Sequence, residues 1–161
     1  MIVIADTSPL RYLILVEVAE VLPLLFQQVL IPDEVYTELR HPSAPAVVQR
    51  WISAAPRWLE IRPPAGTPSA VIPDLDAGEG AAILLAEQLG ETAFVLMDDA
   101  KGRREATLRG IPSTGTLGVL RAASKNGYLA LRDVLPRLLQ TNFYVAPSLV
   151  QSLIAEEQSS A

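Results

Sequence analysis

Cysteine is absent from this chain of 161 residues, and histidine occurs only once, at position 41. The lack of cysteine excludes disulfides, zinc-thiolate sites and thiol catalysis. One histidine cannot supply a histidine-rich metal site, and His41 lies in a proline-rich turn, where we interpret it as a solvated loop residue. Aromatic residues make up only 6% of the chain, so the sequence shows no stacking platform for bases.

The chain also lacks the basic excess that is typical of proteins that bind nucleic acids. Its formal net charge is −5. The basic residues are unevenly distributed, however, because Lys101, Arg103, Arg104 and Arg109 follow closely on two adjacent aspartates. The net charge is therefore only a weak argument against a nucleic-acid substrate.

Long hydrophobic runs are missing as well. The longest apolar stretch, residues 16–31, is interrupted by Glu17, Glu20 and Pro23, which excludes a membrane-spanning helix. The amino terminus has neither the basic segment nor the cleavage site of a signal peptide, so we expect a cytoplasmic location and no membrane association. The hydrophobic fraction is nevertheless 50% and the mean hydropathy is +0.28. Such an apolar composition predicts a buried interface, and we expect a homodimer.

Two short apolar runs each end at acidic residues. Residues 1–5 precede Asp6, and residues 93–97 precede Asp98 and Asp99. Runs of this kind are typical of buried parallel strands, and open α/β sheets bind ligands outside the carboxyl ends of their strands. Carboxylates at two such ends indicate a hard cation between them.

Strands alternate with helical stretches along the chain. This order predicts an α/β fold, namely a three-layer α/β/α sandwich with a mostly parallel central sheet. The length suffices for one core, so we expect a single domain over residues 1–161, with a frayed tail from about residue 158. Residues 62–73 are rich in Pro, Gly, Ser and Thr and predict a loop.

The segment after the first strand predicts a helix start. Ser8 followed by Pro9 is typical of an N-cap and a first helical position, and a helix is predicted over residues 10–26, broken near Pro23. Asp6 is then surplus to the cap, which favours a functional role for it.

Two glutamates allow a structural and a functional interpretation. Glu38 lies beside the buried face of a predicted helix, where it is either a solvated residue or part of a site. Asp76 and Glu79 have the spacing of a capping box. Yet Gly78 and Gly80 flank Glu79, and glycine in a first turn makes sense if another group must approach the backbone closely.

Adjacent residues at a strand end point in opposite directions, so only one of Asp98 and Asp99 is expected to face the site. We choose Asp98, which is nearer the strand, and expect the other to cap the following helix. Thr116 lies at the next turn from strand to helix. It is either a plain N-cap or a hydroxyl that orients a metal-bound water or a phosphate.

These pieces form five short motifs that occur in a fixed order over residues 6–118. They are Asp6-Thr-Ser-Pro, Ile31-Pro-x-x-Val35-x-x-Glu38, Leu75-Asp-x-Gly-Glu79, Leu96-Met-Asp98-Asp-x-Lys-Gly-Arg103 and Thr114-Gly-Thr-Leu-Gly118. Together they resemble the PIN-domain family of metal-dependent nucleases, and within it the VapC-like toxins. The likeness is greatest to a subgroup that is often left without assigned function.

The resemblance implies hydrolysis of phosphodiester bonds in single-stranded RNA with Mg²⁺ or Mn²⁺, by the toxin of a toxin–antitoxin pair with a small antitoxin protein. It implies that Asp6 and Asp98 are direct metal ligands, with Glu38 and Glu79 completing the catalytic cluster. The implied metal set is Asp6, Asp98, Glu79 and Asp99. Crowding of the four catalytic acids predicts raised pKa values without metal.

Neighbouring side chains have secondary roles in this prediction. Thr7, Ser8 or Thr116 would orient the ligands. Arg103 and Arg104 would hold substrate phosphates, the alternative being that they form a solvated helix face.

The chain departs from many members of this family at one place. The stretch after the fourth site acid reads Lys101-Gly-Arg103, where those members carry a further aspartate. Either Asp99 supplies that carboxylate or a second metal is held more weakly.

Two rival functions remain open. One is a PIN-fold binding module without activity. The other is a phosphotransfer domain with strand-end aspartates, as in haloacid dehalogenases or response receivers, but the sequence Asp6-Thr-Ser8 lacks the second acid that each of these sites uses.

Overall fold

The computed structural model describes residues 1–63 and 72–160. Most of the predicted loop over residues 62–73 lies outside the described residues. The described part contains five strands: β1 Ile2–Ala5, β2 Gln28–Ile31, β3 Leu59–Ile61, β4 Ala93–Leu96 and β5 Ser113–Thr114. It also contains the α-helices α1 Thr7–Leu15, α2 Val21–Leu25, α3 Asp33–Arg40, α4 Ala46–Ser53, α5 Ala77–Leu89, α6 Ala100–Leu108, α7 Thr116–Lys125, α8 Leu131–Leu139 and α9 Pro147–Ser159.

The strands form one parallel sheet in the order β3-β2-β1-β4-β5. The central strand β1 is buried on both faces, since Val3, Ile4 and Ala5 are inaccessible to solvent. Ala5 pairs with Leu96, and the Asp6 amide continues the ladder by donating to the Leu96 carbonyl at 2.9 Å. The ends of β1 and β4 therefore meet at one edge of the sheet.

Helices cover both faces of this sheet. Val3, Ala5 and Leu96 pack in one hydrophobic cluster with α1, α2, α4, α7 and α8. Ile4 and Val95, which point the other way, pack in a second cluster with α5 and α6. Two apolar faces, each covered by helices, confirm the predicted three-layer α/β/α sandwich.

The first helix differs from its prediction. It begins at Thr7, and Asp6 rather than Ser8 occupies the N-cap position, although the Asp6 side chain makes no capping hydrogen bond. Ser8 lies within the first turn. Pro9 is the third helical residue, and its missing N–H is tolerated there because the first amides of a helix have no intrahelical acceptor.

The predicted helix over residues 10–26 is two helices, and the break lies before Pro23. Glu17 has φ 62°, the left-handed conformation of a helix C-terminus. The Glu17 amide donates to Ile14 and the Val18 amide donates to Leu13, which satisfies the last carbonyls of α1 in a Schellman motif. Pro23 lies inside α2 and does not cause the break.

Near the carboxyl end of the described residues, α9 continues to Ser159, so residues 158 and 159 of the tail that was expected to fray are helical. No helix within residues 1–63 and 72–160 combines the length and hydropathy needed to cross a membrane.

Candidate active site at the carboxyl edge of the sheet

Asp6 is the most deeply buried acid at this edge. Its side chain is only 5% exposed, and its pKa is raised from 3.8 to about 8. Burial is the largest cause, and the charges of Asp76, Glu79 and Glu38 raise it further, while a hydrogen bond from the Thr7 amide opposes the rise. Asp6 is thus a carboxyl group that binds a proton unless a cation is available to replace it.

Glu38 reaches the same place from α3. Val35 and Leu39 bury one side of this helix and so turn Glu38 toward the edge of the sheet. An ideal Cβ placed on Gly78 would lie 2.7 Å from Glu38 Oε1 and 3.3 Å from Asp6 Oδ1. The two carboxylate oxygens therefore face one small space that any other residue at position 78 would fill.

The two glycines beside Glu79 consequently differ in role. Gly78 permits the close approach that the sequence suggested. A Cβ on Gly80 would meet no other atom within 4 Å, so close approach does not explain that glycine.

Glu79 has both of the roles that the sequence left open, as part of a capping box and as a member of the acidic site. Asp76 Oδ1 accepts from the Glu79 amide at 2.8 Å, and Glu79 Oε2 accepts from the Asp76 amide at 3.2 Å, which is a complete capping box. The pKa of Glu79 is nevertheless raised, first by burial and then by the charges of Asp76, Asp99 and Glu38. Glu79 therefore caps α5 and belongs to the acidic cluster at the same time.

For Asp76 the sequence predicts only a capping role, whereas the structure also places it near the other acids. Its charge contributes to the raised pKa values of Asp6, Glu38 and Glu79. The signal was its position directly after Leu75 in one of the five motifs.

Asp98 and Asp99 have different partners. Asp99 caps α6, its Oδ2 accepting from the Gly102 amide at 3.0 Å, and its charge helps to raise the pKa of Glu79. Asp98 accepts two hydrogen bonds from Thr116, one from the amide and one from the hydroxyl, both 2.7 Å long. Asp98 is not among the charges that raise the pKa of Asp6, Glu38 or Glu79.

The roles of Asp98 and Asp99 therefore differ from the prediction, which placed Asp98 toward the site and Asp99 only as a cap. Asp99, assigned as the cap, is also the aspartate that lies toward Glu79. Asp98 is held on the side of α7.

Thr116 is not the N-cap of α7, because Gly115 occupies that position. Thr116 is the first helical residue and is fully buried. Its hydroxyl positions Asp98 instead of capping the helix.

The acidic cluster is defined here as Asp6, Glu38, Asp76, Glu79 and Asp99. The three raised pKa values in it agree with the prediction from crowding, but the largest cause in each case is burial and not repulsion. The cluster brings together three of the four predicted catalytic acids, and Asp98 lies beside it.

The cluster offers only carboxylate oxygens as metal ligands, and such oxygens suit Mg²⁺ or Mn²⁺. Within the described residues, no three acidic or histidine side chains already stand as a ready set of metal ligands. The space between Asp6 and Glu38 is the feature that suits a metal ion, because two carboxylates face it and Gly78 keeps it open.

Two polar residues of α1 border the cluster. The Thr7 hydroxyl is buried and makes no hydrogen bond of good geometry among the described residues, yet it lies close enough to Glu38 to oppose part of the rise in that pKa. The charge of Arg11 acts in the same direction. Arg11 was not among the residues predicted from the sequence, although its spacing of one helical turn from Thr7 was a usable signal.

A groove opens on the other side of the edge. Its volume is about 560 Å³, and Asp98, Arg103, Gly115 and Tyr144 are among its lining residues. Arg104, in contrast, is exposed on α6. Arg103 and Arg104, which were both predicted to hold substrate phosphates, thus have different surroundings.

Comparison with known proteins agrees with this architecture. The DUF3368 family model, described as a PIN domain, matches residues 2–159. No curated protein matches the chain. The match spans the whole sheet and every residue of the acidic cluster, so this chain belongs to the PIN-domain family.

Proposed function

We propose that this protein is a metal-dependent endoribonuclease that cleaves single-stranded RNA. PIN domains are generally nucleases, which supports the reaction class. The observation that carries the proposal is the pair Asp6 and Glu38, whose oxygens face one space kept open by Gly78. Burial of Asp6 supports it further, because a bound cation would stabilise the charged form of a carboxyl group whose pKa is raised to about 8.

Asp6 and Glu38 would hold Mg²⁺ or Mn²⁺, with Glu79 and Asp99 reaching it directly or through water. When bound, the ion supplies an activated water and neutralises charge on the phosphate. The Thr7 hydroxyl, buried beside Glu38, would fix the orientation of that carboxylate. Asp98 is the least well placed of the four predicted acids for direct ligation, since Thr116 holds it toward the groove.

Several finer features belong to the same proposal. The protein would act as the toxin of a toxin–antitoxin pair in the cytoplasm, as a homodimer, and would be inhibited by a small antitoxin protein.

Two observations favour a second candidate, a PIN-fold binding module of little or no activity. Glu79 is engaged in a capping box and both oxygens of Asp98 accept hydrogen bonds from Thr116. If these bonds persist when metal binds, fewer carboxylates than expected are available as ligands.

The deciding experiment measures cleavage of labelled single-stranded RNA with Mg²⁺ or Mn²⁺, and with EDTA. The variants are Asp6→Asn and Glu38→Gln, and the matched control is Glu91→Gln, an exposed acid in the turn just before β4. The proposal expects cleavage by the wild type and the control only, and none in EDTA. Cleavage that survives EDTA and Asp6→Asn comes from a contaminant.

Metal binding without cleavage would favour the binding module. We therefore pair the assay with a titration of Mn²⁺ against thermal stability for each variant.

A further inference from the structure

The groove beside Asp98 contains an aromatic surface that the low aromatic content of the chain concealed. Tyr144 lines it and is 88% exposed, the highest value among the large hydrophobic side chains of the described residues. It lies between α8 and α9, far along the chain from Asp98, the acidic residue that also lines the groove.

The segment that carries Tyr144 is well anchored. The neighbouring Phe143 packs edge-to-face on Tyr12 of α1, with ring centroids 4.9 Å apart. The Phe143 amide donates to Thr141 Oγ1 at 3.1 Å, and the Tyr12 hydroxyl donates to Asn142 at 2.8 Å. Tyr144 is thus an exposed ring on a backbone that is fixed on its amino-terminal side, so ligand binding has to order the side chain and not that part of the backbone.

Arg103 contributes an available cation to the same groove. Among the described residues it forms no ion pair, and its one hydrogen bond is long, from Nη1 to the Met97 carbonyl at 3.5 Å. A Cβ on Gly115 would lie 3.0 Å from Arg103 Nη1 and 2.7 Å from Asp98 Oδ1. Glycine at position 115 therefore leaves the floor of the groove open between these two side chains.

The chemistry of the groove has two parts, a flat aromatic face and a guanidinium. An unstacked nucleotide has the two complementary parts, a base and a phosphate. Asp98 is an anion held by Thr116, so Arg103, the one cation among the described residues that line the groove, is the group that can bind a phosphate. The volume of about 560 Å³ is within the range of about 300–1,000 Å³ that is common for small-ligand sites.

We propose that this groove binds one nucleotide of single-stranded RNA next to the cleavage site, with its base stacked on Tyr144 and its phosphate on Arg103. This inference rests on the proposed function, because it supplies the substrate contact that the acidic cluster cannot. Carboxylates repel phosphates, so RNA needs a cationic and aromatic contact close to them to be held in place.

The test measures binding separately from cleavage. Fluorescence anisotropy with a labelled single-stranded RNA of about eight nucleotides, a length within the usual site sizes, is recorded in EDTA, where hydrolysis is blocked. The variants are Tyr144→Ala, Tyr144→Phe and Arg103→Gln. The matched control is Tyr128→Ala, which removes another exposed tyrosine that does not line the groove.

Tyr144→Ala is expected to weaken binding by about tenfold or more, and Tyr144→Phe to retain it, because stacking needs the ring and not the hydroxyl. Arg103→Gln is expected to weaken binding and to lower the salt dependence by about one phosphate contact. Tyr128→Ala should bind as the wild type does.

Three results would overturn the inference: equal affinities for Tyr144→Ala and Tyr128→Ala, absence of RNA binding by the wild type, or a loss of affinity in Tyr144→Ala that accompanies a changed oligomeric state in sedimentation. Tyr144-dependent binding without any cleavage in Mn²⁺ would support nucleotide binding in the groove and contradict the proposed nuclease activity. Metal-dependent cleavage that is unaffected by Tyr144→Ala would support the nuclease activity and contradict nucleotide binding in the groove.

Discussion

Asp6 connects the stability of this protein to its chemistry. The unfolded chain ionises this residue near its ordinary pKa of 3.8, whereas the folded protein keeps the proton until about pH 8. Between these values the unfolded state binds fewer protons than the native state, so the free energy of unfolding falls as pH rises. Below pH 4 and above pH 8 this group adds no further pH dependence.

We therefore expect metal-free protein to be less stable at pH 8 than at pH 5, by on the order of a few kcal/mol from this residue. Urea unfolding at the two pH values measures the difference. In Asp6→Asn the difference should shrink, because the amide does not titrate. An unchanged pH dependence in that variant would mean that the carboxyl group is not desolvated as described.

Gly78 is a second residue on which the site depends, because it has no side chain. Gly78→Ala should place a methyl group between Asp6 and Glu38, at the distances of 3.3 and 2.7 Å given above, and so weaken Mn²⁺ binding by about tenfold or more. The fold should survive, because alanine favours the helix by about 1 kcal/mol over glycine.

Gly80→Ala is the matched control for this change. It lies in the same turn, gains the same helix propensity, and its methyl group meets no atom within 4 Å. Calorimetric titration of the two variants with Mn²⁺ should separate them. Equal affinities would show that the space beside Gly78 holds no cation.

At the scale of elements, glycines set how closely helices approach the site. A Cβ on Gly118 would clash with Thr114 Oγ1, and one on Gly102 would clash with Met97 Sδ. These contacts fix α7 against β5 and α6 against the end of β4. The positions of Asp98 and Arg103 depend on both packings.

Gly118→Ala should destabilise the protein by about 2 kcal/mol, since α7 must shift or Thr114 must rotate. Thr114→Ala removes the hydroxyl that the new methyl group strikes. The double variant should therefore recover part of the loss, which a double-mutant cycle by chemical denaturation measures. Strictly additive effects would argue against this contact.

At the scale of the whole molecule, metal binding and folding are linked because the acidic cluster joins residues from the end of β1, from α3 and from the starts of α5 and α6. Mn²⁺ at about one hundred times its dissociation constant should add about 2.7 kcal/mol of stability. For a domain of this size that is a rise in Tm of about 5–10 °C. Differential scanning calorimetry should detect this rise in the wild type and not in Asp6→Asn or Glu38→Gln; a similar rise in those variants would place the cation elsewhere.

The sequence could predict the parallel sandwich because that information is local. Apolar runs before Asp6 and Asp98 mark buried strands, and the helix over Asp33–Arg40 follows from its own periodicity. The ends of neighbouring parallel strands meet wherever the sheet forms, so acids at those ends could be proposed as a site without knowing the packing.

Only the tertiary structure decided which acids share an environment and what surrounds them. Asp76 and Arg11 lie at the site, Thr116 holds Asp98, and Tyr144 lines the same groove as Arg103. Burial and the approach of side chains from distant segments depend on how helices pack, and a linear pattern of residue types does not encode those distances.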